Sequence, residues 1–209
     1  MGKQKQIEYF EGLLYKHGPS HEALDWNSKE SQQLRAEVLK EILVYGKKST
    51  HISLLDVGCG FGDLFKYLKK EHKICYTGYD ISSKIIDEAR KKYPQAHFEV
   101  RDILEDQNVP KFDYVFCSGV FNIRTNEIKE HKTHVRSMIE RMYGLAKCGV
   151  AINFLSEGRL PPADPEGLNA GRYFYFNPEE IVNYCRHITD DYILRHDYHP
   201  GDFTVYLLK

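Results

Sequence analysis

The stretch Leu54–Leu64, LLDVGCGFGDL, constrains this chain more than any other. Its apolar first half reads as a buried strand, and Gly58, Gly60 and Gly62 make a turn free to take positive φ. A helix then starts near Gly62. A strand, a glycine turn and a helix in this order bring bare backbone up to a ligand at the carboxyl end of the strand.

The rest of the chain repeats the alternation. β-rich runs at 51–57, 74–80, 96–100, 112–118 and 149–155 are separated by helical runs, the pattern of βαβ units in a mainly parallel sheet. The run FDYVFCS (112–118) is apolar on both faces, as a central parallel strand requires. Helices are expected over 28–45 with Asn27 as cap, 62–71, 82–92 with Ser82 or Ser83 as cap, and 125–146. Asn177-Pro178-Glu179-Glu180 starts another. Gly12, Gly18 and Pro19 are expected to break any long helix near the N-terminus. Two closing strands, 191–197 and 202–208, flank a turn at Pro200-Gly201 and fit an antiparallel hairpin.

The acids around the glycine turn select the ligand class. Asp80 ends the second strand, twenty residues past Gly60, where a carboxylate reaches ribose hydroxyls. A dinucleotide fingerprint needs a third glycine at position 63, and the chain has Asp63. Acids at Asp56 and Asp63 repel a pyrophosphate and suit an adenosyl ligand carrying positive charge, such as S-adenosylmethionine with its sulfonium and ammonium. Cys59, between the glycines, reads as filler rather than a nucleophile.

LLDVGCGFG, YTGYDIS, FEVRDIL and FDYVFCSGVFN, in this order, resemble the motif series of class I S-adenosylmethionine-dependent methyltransferases. The resemblance covers roughly residues 50–155 and extends to small bacterial and archaeal members. It implies a Rossmann-like α/β fold, doubly wound, with a seven-stranded sheet of order 3-2-1-4-5-7-6 and an antiparallel last strand. It also implies the ligand contacts. Gly58, Cys59 and Gly60 would approach the amino-acid moiety, and Asp56 would fix that loop and the ammonium. Asp80 would bind ribose, with Ile81 on the adenine face. Asp102 would accept from the adenine amino group beside the Ile103 backbone, and Ser118 and Gly119 would lie beneath the methyl group. Arg35 could pair with the methionine carboxylate, whose geometry suits a guanidinium, or stand in solvent.

Methyl transfer needs alignment and a dry pocket more than it needs a base, so the acceptor side is less legible. The carboxyl ends of the strands point to 118–124, 153–165 and the 195–201 turn. There Asn122 could orient an acceptor or help start the next helix, and His196 with Asp197 could form a base pair or an exposed tip. Phe121 and Tyr198 could contact substrate. Tyr15 and Trp26, in an N-terminal segment expected to fold over the site as a lid (1–48) on a core (49–209) within one domain, could wall it. Trp26 could instead be a staple before the helix. His131 and His134 read as surface residues.

The balance of 29 basic and 30 acidic residues, net charge -1, argues against a dedicated nucleic-acid binder. A small-molecule acceptor is therefore expected. RNA or protein methylation and a non-catalytic S-adenosylmethionine-binding subunit stand as alternatives, and Lys129, Lys132 and Arg136 form a modest basic stripe. Five scattered cysteines without a C-x-x-C pair read as reduced thiols, and no metal-ligand spacing occurs. With no apolar run of spanning length, a cytoplasmic protein off the membrane is expected, as monomer or homodimer.

Overall fold

The computed structural model describes residues 2–46, 51–68, 73–124, 127–157 and 172–209. Seven strands form one sheet in the order β3-β2-β1-β4-β5-β7-β6. They are β1 (His51–Val57), β2 (Lys73–Asp80), β3 (His97–Val100), β4 (Phe112–Cys117), β5 (Ala146–Leu155), β6 (Tyr192–Arg195) and β7 (Asp202–Leu208). Strands β1 to β5 pair in parallel, and β7 runs antiparallel to both β5 and β6. The expected order and the inverted last strand are both present.

Helices α1 (Gly2–His17), α2 (Lys29–Lys40), α3 (Ile42–Tyr45), α4 (Asp63–Leu68), α5 (Ser83–Lys92), α6 (Ile128–Leu145) and α7 (Pro178–Cys185) complete the described elements with a 3-10 turn at Glu22–Leu24. The sheet is covered on both faces, which is why its central strands carry no polar alternation. Val135, Met138, Ile139 and Met142 of α6 and Ile181 of α7 close one core over Val115, Val150 and Val205. Val38, Leu39 and Ile42, with Ile86 and Ala89 of α5, close the other over Leu54, Phe116 and Tyr206.

Three local expectations are corrected. α1 runs unbroken through Gly12: a single glycine costs a helix interior roughly 1 kcal/mol, and Phe10, Leu13 and Leu14 repay this by packing on Phe61 and Ile85. The cap of α2 is Ser28, whose Oγ accepts from the Ser31 N–H, and not Asn27. His131 is 4% exposed, because α6 turns it inward against Phe174 and Phe176. The Ser82 and Asn177 caps stand as expected.

Sheet order reverses between β1 and β4, and the crevice of such a sheet opens at the carboxyl ends of these two strands. That placement carries the site.

Candidate active site

β1 delivers Asp56 and the glycine loop to this crevice. The Gly58 and Cys59 N–H groups both donate to the Tyr79 carbonyl, 2.8 and 3.0 Å away, tying the loop to the end of β2. Gly58, Gly60 and Gly62 have φ of 71°, 54° and 74°. The turn needs glycine for packing as well: a Cβ on Gly58 would stand 2.2 Å from Val120, and one on Gly60 would stand 2.7 Å from Leu24. Cys59 is buried, and its thiol is pushed well up by desolvation, which keeps it protonated and inert.

Asp80 accepts from the Gly60 N–H (3.1 Å) and the Ser82 N–H (3.0 Å), so it holds the loop while lining the crevice. Burial raises its pKa, opposed by those backbone donors. Asp56 accepts from the Tyr76 hydroxyl at 2.6 Å, and burial raises it to about 7, opposed by that hydrogen bond. Asp63 is engaged by Tyr93 and Lys92 at the start of α4. Asp102 accepts from Leu104 N–H (2.9 Å) and pairs with Lys3 of α1 (2.9 Å), beside buried Ile103.

The N-terminal segment forms the roof. Gly2, Lys3, Gln6, Ile7 and Phe10 of α1, Leu24 to Asn27, and Ser31 and Arg35 of α2 face Asp56, Asp80, Ile81, Asp102, Ser118 and Gly119 across one cavity of about 440 Å³. The Gln6 amide donates to the Val120 carbonyl and Glu11 pairs with Lys84, which pin α1 across the mouth. Trp26 lies over Gly119 and under the Arg35 guanidinium, 4.9 Å from ring centre. Arg35 is 6% exposed and pairs through Nη2 with Asp202, while its buried Nε has no partner among the described residues.

Asn122 lines the cavity, with its Oδ1 accepting from Leu155 N–H at 3.3 Å. Phe121 also lines it, but is 1% exposed and stacks on Phe154, so most of its ring serves the core.

The other acceptor-side expectations are corrected. Tyr15 is 95% exposed on the outer side of α1. His196 and Asp197 do not pair. Residues two apart share one face of an extended chain, so Asp197 meets Arg195 (2.9 Å) in solvent while His196 turns the other way to Ser156 (2.9 Å). Tyr198 is committed to Asn153 and Thr204, at 3.0 and 2.8 Å. None of these four lines the cavity. Lys132 and Arg136 turn to Glu180 and Tyr184 of α7, away from it. Residues 158–171, with much of the expected 153–165 region, lie outside the described residues.

The structure adds lining residues that sequence reading passed over: Lys3, Leu24, Asp25, His131, His134, Tyr173 and Tyr175. The last two had a signal. RYFYF alternates, and Tyr173 and Tyr175 face the cavity while Phe174 and Phe176 enter the core. Among the described residues no cluster could hold a metal ion, and no helix is long and apolar enough to cross a membrane.

The comparisons agree with this geometry. Residues 54–142 match the model of a methyltransferase domain family. The Mycobacterium tuberculosis protein Rv1506c, a methyltransferase by name only, is 26% identical over 160 residues, 75% of this chain and 93% of that one. The ubiquinone biosynthesis O-methyltransferase of Coxiella burnetii is 28% identical over 162 residues, 75% of this chain and 61% of its own length. Among solved structures, the magnesium protoporphyrin IX methyltransferase of Synechocystis with bound SAH superposes over 100% of both chains, with a TM-score of 0.70 and 18% identity. The plantazolicin methyltransferase BpumL, in complex with a triazolic desmethylPZN analog and SAH, superposes with a TM-score of 0.70 over 99% of this chain and 95% of its own, also with 18% identity. The domain model matched over residues 54–142, the strand order and the glycine loop at the switch point together support an S-adenosylmethionine-dependent methyltransferase.

Proposed function

We propose that this protein transfers the methyl group of S-adenosylmethionine to a small molecule in the cytoplasm, as one domain in which residues 1–48 form a lid on the 49–209 core. The observation that carries the acceptor class is the roofed cavity, about 440 Å³, within the range of small-molecule sites. The magnesium protoporphyrin and ubiquinone-pathway enzymes among its likenesses are also named for small-molecule chemistry.

The residues present fit the ligand. Arg35, which lines the cavity, keeps a buried Nε–H without a partner among the described residues, and it suits a carboxylate. Asp56 and Asp80 sit on either side of a loop that presents backbone to the cavity. Asp80 would hold the ribose, Ile81 and Ile103 would flank adenine, and Asp102 would accept its amino group after exchanging Lys3. Asp56, Gly58 and Gly60 would take the ammonium end, and Ser118 and Gly119 the region of the methyl. The bound cofactor supplies an electrophilic methyl on a positively charged sulfur. The chain itself excludes water with Phe10, Leu24 and Trp26 and orients the acceptor with Asn122.

Calorimetry should show S-adenosylhomocysteine binding and no NADH binding; the reverse would overturn the ligand assignment. A tritiated-methyl assay across metabolite, RNA and protein fractions should label the metabolites. Label in RNA or protein alone would replace the acceptor class.

A further inference from the structure

Asp25 is singled out by its backbone before its side chain is considered. Among the described residues it is the non-glycine residue with positive φ, 59°, at the end of the Glu22–Leu24 turn. An aspartate there costs roughly 1 kcal/mol or more, and such strain concentrates where a side chain must be aimed. Its neighbours give the aim: Leu24 sits over Gly60, and Trp26 lies over Gly119.

Its partners come from beyond the end of β4. Arg172 Nη2 reaches Oδ1 at 3.0 Å, and the Tyr173 hydroxyl hydrogen-bonds to the carboxyl. Tyr173 bridges Ile123, directly after Gly119–Asn122. Oδ2 is buried and without a partner among the described residues. The other acids of the cavity among the described residues are engaged: Asp56 by Tyr76, Asp63 by Tyr93 and Lys92, Asp80 by two backbone N–H groups, and Asp102 and Glu105 by Lys3. His131 holds the Phe121 carbonyl through Nε2.

We propose that Asp25 receives the proton of the methyl acceptor, which is therefore an amine or hydroxyl compound and not a carboxylate. This rests on the methyltransferase reading above. The nucleophile's lone pair forms the bond to carbon, sulfur keeps the electron pair of the bond that breaks, and the N–H or O–H proton passes to Oδ2. Burial raises the Asp25 pKa, opposed by Tyr173, in the direction that improves a proton acceptor. Among the described residues, the titratable and charged groups around it include Arg172 and Tyr173, Tyr9 against the Arg172 guanidinium, and His21 and Glu22 of its own turn.

Asp25→Asn is the test, since asparagine accepts this φ and its Oδ1 can still meet Arg172. Asp25→Gly, equally free at this φ, is the second variant. Loaded with S-adenosylhomocysteine, the wild type should bind benzylamine or phenol in ligand-observed NMR and bind benzoate more weakly. Both variants should weaken the proton-donor probes at least tenfold and keep S-adenosylhomocysteine affinity within twofold. With S-adenosylmethionine, methylation of the bound probe should fall with falling pH in the wild type, and this acid limb should vanish in Asp25→Asn. Probe binding equal to wild type in both variants, no binding of either proton donor, or preferred binding of benzoate overturns the proposal. A wild type that does not bind S-adenosylhomocysteine fails earlier, and overturns the methyltransferase reading together with it.

Discussion

Replacing Asp202 by asparagine should unfold this protein far more easily, although the change removes no volume. Asp202 is fully buried and Arg35 keeps only 7% side-chain exposure, so neither ion has water to fall back on. His199 Nδ1 lies 2.9 Å from the same carboxylate oxygen, but it is 31% exposed and no substitute for a buried guanidinium. Removing one partner of a buried pair leaves an uncompensated charge and costs about 3–5 kcal/mol. For 209 residues at ~2.1 cal/mol/K each, the unfolding entropy is ~0.44 kcal/mol/K, and the melting temperature should fall by about 7–11 °C. The sole tryptophan, Trp26, lies under the Arg35 guanidinium, so its fluorescence during thermal or urea unfolding reports on this place directly. Replacing both ions, as Arg35→Met with Asp202→Leu, should recover most of the loss, because an apolar pair has no charge to strand. A fall below about 2 °C for Asp202→Asn, or a double variant worse than the single one, would refute the reasoning.

Asp56 gives a pH dependence. Its folded pKa of about 7 lies above the ordinary 3.8, so the folded state holds the extra proton between these values, and stability should decline as pH rises from about 4 to 7. Asp56→Asn should flatten that slope in urea titrations; an unchanged slope would place the proton elsewhere. Binding of an ammonium-bearing ligand beside Asp56 should expel its proton, visible at pH 6 as a binding enthalpy that varies with the buffer. Gly58→Ala should abolish S-adenosylhomocysteine binding and lower stability, since the new Cβ meets Val120 and φ is 71°. Asp80→Ala should weaken the same binding by about 1.5–3 kcal/mol, read by calorimetry.

The layered architecture was legible because its strands and the helices between them announce themselves locally. Short β-rich apolar runs, Ser82 and Asn177 caps, and the Gly58–Gly62 turn are properties of neighbouring residues, and the strand order followed from the resemblance they carry. The cofactor wall was legible for the same reason: its acids sit at strand ends. The acceptor wall was not. His196 and Asp197 look like a pair in the sequence and are separated by strand alternation. Asp25 and Tyr173 are 148 residues apart in the chain and meet because α1 and the turn after it fold back over β4, a long-range packing event without a local signature. Helix α1 itself was hidden by Gly12, whose small local penalty is outweighed by burial of Phe10, Leu13 and Leu14.

The Lys3 contacts to Asp102 and Glu105 tie the first turn of α1 to the segment after β3. In the proposed reading adenine takes Asp102 from Lys3, so the first turn of α1 loses this contact as a ligand settles beneath it. Lys3 is 40% exposed, which makes its two ion pairs weak and open to screening by salt. Raised ionic strength should therefore ease that exchange, read as faster ligand association in stopped-flow mixing.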